Sequence, residues 1–354
     1  MNWRDRHLWL VILAGGVFGV LGVMLSVWGN PANSGICVSC FLENSVGALG
    51  FHDNDRMQYL RPELPGFVLG ATVSALIGRE FVARGGGAPL PRIVAGILLM
   101  IGCAIFIGCP IKLFLRLSAG DLTALAGVAG LICGVWIGLQ GLGHGVSFGQ
   151  PLKERGTGWI TPLFFLALLA AFFVRPGFLL FSERGSASLH APWFLSLGAG
   201  LVLGGLAQRT RFCITGGIRD GLILGRRAPL LWGGIAFIIS AFLFSILVGR
   251  FNVGWLGQPG AHLETVWNFT GMLLVGIVSA LIGGCPLRQL IKSGEGDTDA
   301  GLVVIGMLIG AALVQAWGIT ATAAGVPSGG KIAVLTGLAL TVLSMLLFRE
   351  RETE

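Results

Sequence analysis

The chain has 354 residues, 54% of them hydrophobic and only 12% charged, with 58 glycines, seven cysteines and a formal net charge of +7. Ordinary soluble domains carry about 25% charged residues and roughly half this share of glycine, so a water-soluble globular enzyme is excluded and a polytopic membrane protein indicated. The positive charge does not make a nucleic-acid binder, because no basic, aromatic-laced module is present and membrane proteins collect Lys and Arg in cytoplasmic loops for topological reasons.

Apolar segments of about 20 residues, each long enough to cross roughly 30 Å of hydrocarbon, are predicted near 8–28, 64–84, 92–108, 121–142 and 158–180. A second set follows near 192–208, 228–249, 264–283, 299–318 and 330–348. The first segment follows a basic start, is longer than a signal-peptide core and lacks a small-residue cleavage site, so it reads as a span. Polar residues from Ser182 to Ser188 separate the sets. The expected organisation is a first transmembrane repeat at 1–180, a linker at 181–191 and a second repeat at 192–354, with no soluble module of useful length.

The two sets are copies offset by 176 residues. Cys37 recurs as Cys213 and Cys109 as Cys285; Gly108-Cys109-Pro110 matches Gly284-Cys285-Pro286, and Gly120-Asp121 matches Gly296-Asp297. Lys112 aligns with Arg288, Arg116 with Lys292, and Ser39 with Thr215, all without a gap. Five crossings per copy is an odd number, which turns the second copy upside down. The expected fold is therefore an all-α polytopic membrane protein of two inverted repeats, with short re-entrant helices meeting near the membrane centre. Ten crossings put 16 of the 24 basic residues on the side of the termini, among them Arg4, Arg155 and Arg351. Both termini are thus expected in the cytoplasm.

The chemistry is expected at the repeated cysteines. Cys followed by Pro at 109–110 and 285–286 reads as N-cap and first helical residue, where proline's fixed φ and missing N–H are tolerated. The helices they open run only to Leu117 and Ile291, too short to span, which suits re-entrant segments buried in protein or lining a polar cavity. Each thiol then sits beside the positive end of a helix, with unsatisfied N–H groups that favour an anion. One cysteine in a glycine-rich helix is ordinarily a packing residue; four in symmetric pairs on helix breaks nominate Cys37, Cys109, Cys213 and Cys285 as a substrate path. Lys112, Arg116, Arg288 and Lys292 are candidates for anion attraction, although each also fits a topogenic charge. Asp121 and Asp297 read as caps of the following spans, and Arg219-Asp220 as an internal ion pair. Cys40, Cys103 and Cys133 face Gly216, Ser279 and Ile309 in the other copy, so they read as small packing residues. Cys37 and Cys40 have redox spacing, but Gly216 breaks it in the second copy.

The strings from Arg209 to Asp220 and from Gly283 to Asp297 carry a resemblance: the chain is similar to the YeeE/YedE family of sulfur-compound transporters, and more narrowly to the YedE branch associated with selenium metabolism. The resemblance implies an hourglass bundle whose short helices dip to the centre. It also implies a path in which cysteine thiols hydrogen-bond successively to a thiosulfate-like anion. Its path cysteines fall on Cys37, Cys109 and Cys285, with Cys213 the symmetric fourth. The polar insert from His52 to Glu63 departs from the pattern and is expected to remodel the outer mouth. The function expected is uptake, across the cell (inner) membrane, of a small sulfur or selenium oxyanion, without enzymatic activity or cofactor. Expected partners are the small anionic substrate, the lipid bilayer and a cytoplasmic sulfur- or selenium-handling protein, with no nucleic acid. Two other readings stay open: a membrane-embedded thiol or persulfide relay enzyme, and a soft-metal transporter using the thiols as Cu(I) ligands.

Overall fold

The computed structural model describes residues 5–149, 151–154 and 156–349. Arg4, Arg155 and Arg351, three of the charges that orient the chain, lie outside the described residues. The first copy supplies α1 (Arg6–Val27), α2 (Val38–Ala48), α3 (Glu63–Ile77), α4 (Pro89–Phe106), α5 (Pro110–Ser118), α6 (Ala124–Gly143) and α7 (Ile160–Val174). The second supplies α8 (Trp193–Thr210), α9 (Ile214–Leu224), α10 (Pro229–Leu247), α11 (Thr265–Leu281), α12 (Pro286–Gly294), α13 (Thr298–Ala316) and α14 (Ser328–Leu347). The described sheet is one antiparallel pair, β1 (Arg84–Gly85) on β2 (Leu152–Lys153), with Arg84 opposite Lys153. An all-α polytopic membrane protein is the result.

Ten helices fall on the ten predicted spans, and α2, α5, α9 and α12 are the short pieces between them. The largest departure is α3, which ends at Ile77 instead of continuing to residue 84. Beyond it Arg79 takes a positive φ, and the amides of Val82 and Arg84 donate to the carbonyls of Glu295 and Gly296. Eight stretches are long and apolar enough to cross a membrane, with α4–α5 and α11–α12 each forming one continuous stretch. The two helices outside that set, α3 and α8, pack on each other.

The 176-residue repeat is visible in the elements themselves: α2 and α9, and α5 and α12, begin and end at positions that differ by that offset. It is also visible in how the copies exchange helices. Helix α6 crosses α11, and α13 crosses α4; α1 packs on α10, and α8 on α3. At the first crossing Gly130 meets the Phe269 carbonyl and Gly134 that of Leu273; at the second Gly306 meets the Ile93 carbonyl and Gly310 packs on Ile97. The contacts interconvert under the same offset. A Cβ at Gly130, Gly134 or Gly306 would lie 2.1–2.2 Å from the facing oxygen, so the backbones touch only because no side chain intervenes.

Burial sorts the helices by depth. The α4–α5 and α11–α12 stretches are 72% and 78% buried and form the centre, whereas α10 and α14 are each 22% buried. With apolar residues such as Ile239, Leu243, Leu335 and Leu343 turned outward, α10 and α14 present the lipid-facing surface. Cys133 on α6 is exposed as well, away from the other cysteines' buried surroundings.

Candidate functional site

Each of the four repeated cysteines is the N-cap of a short helix. Cys37 opens α2 and its sulfur accepts from the Cys40 amide at 3.4 Å; Cys213 opens α9 and accepts from the Gly216 amide at 3.3 Å. A hydroxyl flanks each sulfur, Ser39 at 3.5 Å and Thr215 at 3.2 Å. The sulfur thus does what a serine N-cap oxygen does, with a weaker and more polarizable atom. Cys109 and Cys285 cap α5 and α12 in extended conformation with Pro at the first helical position, as the sequence implies. All four are at most 4% exposed, each at the positive end of its helix.

The structure brings part of this set into contact. The sulfurs of Cys213 and Cys285 lie 3.6 Å apart, and Cys109 is in electrostatic reach of Cys285 and of Cys103. Cys103 is fully buried in the same apolar core as Cys37, Cys109, Cys213 and Cys285. A packing role for Cys103 still fits its complete burial, but it packs among the thiols. On the side of the linker lies a cavity of about 660 Å³, lined by Cys40, Glu43, Lys112 and Gln315 together with Asn54, Arg56, Met57 and Arg61 of the polar insert; none of the four repeated cysteines lines it, and Cys40 is the cysteine in its wall. The Lys112 ammonium lies 4.0 Å from the Cys40 sulfur. On the other side Thr215, Gly216, Arg219, Ser279, Gly283 and Gly284 line a space of only about 10 Å³, no more than a single water requires.

One expectation is corrected. Cys40, read as a packing residue, is disulfide-bonded to Cys37. The physical reason is local: at the first turn of a helix residues i and i+3 share a face, and the Cα atoms are 5.4 Å apart, an ordinary disulfide span. Gly216 supplies no sulfur at that place in the second copy, which is why the repeat concealed the pair.

The candidate cations divide. Lys112 alone of the four lines the large cavity. Arg116 is fully buried and commits its guanidinium to Asp121 at 2.6 Å, the Phe106 carbonyl at 2.9 Å and the Thr123 hydroxyl at 2.8 Å, lying over the Phe106 ring. Arg288 pairs with Glu295 at 3.0 Å, and Lys292 with Asp297 at 3.6 Å. Glu295 also takes Arg211 at 2.7 Å, and Arg84 bonds Asp297 at 3.2 Å, so the end of α12 is an ion-pair network joined to β1. Asp297 caps α13 through the Ala300 amide, as read from the sequence, whereas Asp121, read as the same kind of cap, lies two residues before the N-cap Thr123 of α6 and instead accepts from that residue's amide and hydroxyl. Arg219 and Asp220 form the expected pair at 2.7 Å.

Of two further cavity residues, Glu43 was given no role by the sequence reading and Arg61 was included only as part of the insert expected to remodel the outer mouth. Glu43 is bonded to Gln315 of α13, and Arg61 reaches Asn44, Asn30 and the carbonyls of Ser186 and Leu189. Arg61 thereby ties α2 to the insert and the linker and shapes the mouth. The only signal was polarity: an arginine and a glutamate within an apolar chain. Among the described residues no group of three or more His, Cys, Asp or Glu is placed to hold a metal ion.

No curated protein matches the chain. Residues 209–348, which carry Cys213, Cys285 and the α11–α12 stretch, match the model of the family described as sulphur transport, and over that part the chain is similar to the YeeE/YedE sulphur transport family.

Proposed function

We propose that the chain carries a small sulfur or selenium oxyanion of the thiosulfate kind across the membrane, along a central path formed by Cys37, Cys109, Cys213 and Cys285. The observation that carries this reading is the placement of four buried cysteine sulfurs at helix N-termini, beside a cavity with Cys40 and Lys112 in its wall. A thiosulfate-like anion is large, soft and doubly charged. Thiols are weak donors to it, helix N-termini and Lys112 offset its desolvation, and none binds it so firmly that it could not leave. Lys112 attracts the anion at the cavity, while Arg116, Arg288 and Lys292 act on it at longer range and hold α5 and α12 in place through their ion pairs.

On this reading repeats 1–180 and 192–354 are inverted about the membrane centre, joined by the 181–191 linker. The termini are cytoplasmic and the cavity faces outward in an inner membrane. The narrow space beside Arg219 is then the closed cytoplasmic exit, where a sulfur- or selenium-handling protein would collect the cargo. The test is uptake of labelled thiosulfate, selenite and sulfate by full-length protein in sealed vesicles. A transporter accumulates thiosulfate or its selenium analogue without consuming thiol equivalents. Consumption of thiol in step with substrate, with no accumulation, would instead establish the relay enzyme.

A further inference from the structure

The Cys37–Cys40 disulfide has no counterpart in the second copy, and it closes a loop of the smallest kind, which contributes little of the chain-entropy stabilisation that long loops give. Its two sulfurs are placed differently. Cys37 is fully buried, and its sulfur already faces the Cys40 amide at 3.4 Å and the Ser39 hydroxyl at 3.5 Å. Cys40 is half-buried in the cavity wall, with the Lys112 ammonium 4.0 Å from its sulfur. One sulfur is open to attack beside a cation. The other sits where a departing thiolate finds two donors and the positive end of an 11-residue helix.

We propose that Cys37 and Cys40 are a redox-active pair, opened from the cavity through Cys40 by a small dithiol, and that the closed state withholds the Cys37 thiol from the anion. The second part rests on the transport reading above. In the exchange, one thiolate of the dithiol attacks the Cys40 sulfur; the Cys37–Cys40 bond breaks and Cys37 leaves as a thiolate. The second thiol of the reductant then attacks its own neighbouring sulfur in the mixed disulfide, and Cys40 leaves. The dithiol ends as a disulfide; its two electrons and two protons end on Cys37 and Cys40. Cys213 keeps the same pair of donors, from Gly216 and Thr215, but has no thiol three residues on, so the control acts on one side of the protein alone.

The experiment uses full-length protein in sealed vesicles, with dithiothreitol as reductant, iodoacetamide labelling read by mass spectrometry, and thiosulfate uptake measured in parallel. Dithiothreitol is expected to expose two alkylation sites on the peptide bearing Cys37 and Cys40 in the folded protein. Uptake should rise with the same time course, about fivefold, which is what one added hydrogen bond is worth. Cys40→Ser, which leaves Cys37 free, should transport at the reduced rate with or without dithiothreitol. A pair that opens only after denaturation overturns the exchange site. A pair that opens with wild-type uptake unchanged overturns the control of transport. A pair that opens in protein that moves no thiosulfate in either state supports the exchange site and removes the transport reading instead.

Discussion

The sulfurs of Cys213 and Cys285, 72 residues apart in the chain, lie 3.6 Å from each other. They meet because each caps a short helix, and the first turns of α9 and α12 converge there. An anion at this point is offered two thiols and the unsatisfied N–H groups of two helices at once. If the anion passes here as proposed, the two cysteines serve it as one site, and their substitutions should not add. Cys213→Ala and Cys285→Ala are each expected to lower thiosulfate uptake about tenfold, and the double variant hardly further. Stability should fall by only about 1 kcal/mol, since a small buried sulfur leaves a small cavity. Losses that multiply in the double variant would mean two independent sites. Serine at 285 should rescue little, because a harder, smaller donor fits a diffuse sulfur-bearing anion poorly.

Lys112 and Arg116 sit one helical turn apart on α5 and should behave oppositely. Arg116 and Asp121 are both fully buried and 2.6 Å apart, so Arg116→Met leaves Asp121 as an uncompensated buried charge, at a cost of about 3–5 kcal/mol. Thermal unfolding in detergent should report the loss, and Arg116→Met with Asp121→Leu should recover most of it. Lys112→Met should unfold at the wild-type temperature and instead raise the KM for thiosulfate, with a weaker dependence on salt. A normal KM for Lys112→Met removes the cavity lysine from the site.

These contrasts show what the sequence could and could not reveal. The caps at Cys109 and Cys285 were legible because Cys-Pro after glycine has a local meaning. The 176-residue offset aligned Arg116 with Lys292, and it did so because each pairs with an aspartate five residues on. Symmetry marks what both copies need for folding as readily as what both need for transport. The same filter hid Cys40, whose partner lies in its own copy. The insert that holds Arg61 was legible as a mouth element, but the roles of Glu43 and Arg61 were not, because their partners, Gln315 and the carbonyls of Ser186 and Leu189, are distant in sequence.

The glycine crossings give a prediction about assembly alone. Gly134 stands against the Leu273 carbonyl and Gly310 against Ile97, at equivalent places in the two copies. Gly134→Leu and Gly310→Leu should each force the crossing helices apart and sharply lower the yield of folded protein. Gly143→Leu, at the end of the same helix α6 and with open space where a side chain would go, should leave the yield unchanged. Tolerance of leucine at 134 would show that α6 and α11 do not meet there in the membrane.

The orientation of the linker decides whether α3 and α8 cross the membrane. Helix α3 has 15 residues, about 22 Å of helix against roughly 30 Å of hydrocarbon. It packs against α7, α8 and α12, and its first turn is buried in protein, Glu63 fully, so a shortened crossing is tolerable at that end. If both α3 and α8 cross, ten crossings put the termini on one side and the linker on the other. If neither does, the eight remaining crossings still leave the termini together but move the linker to their side. A reporter after Glu354 cannot tell these apart; one inserted between Arg184 and Gly185 can. We expect a periplasm-dependent reporter to be active at the linker and silent after Glu354. Silence at both places, in a protein that still takes up thiosulfate, would reduce each copy to four crossings. An even number removes the inversion, and with it the outward opening of the cavity that holds Cys40 and Lys112.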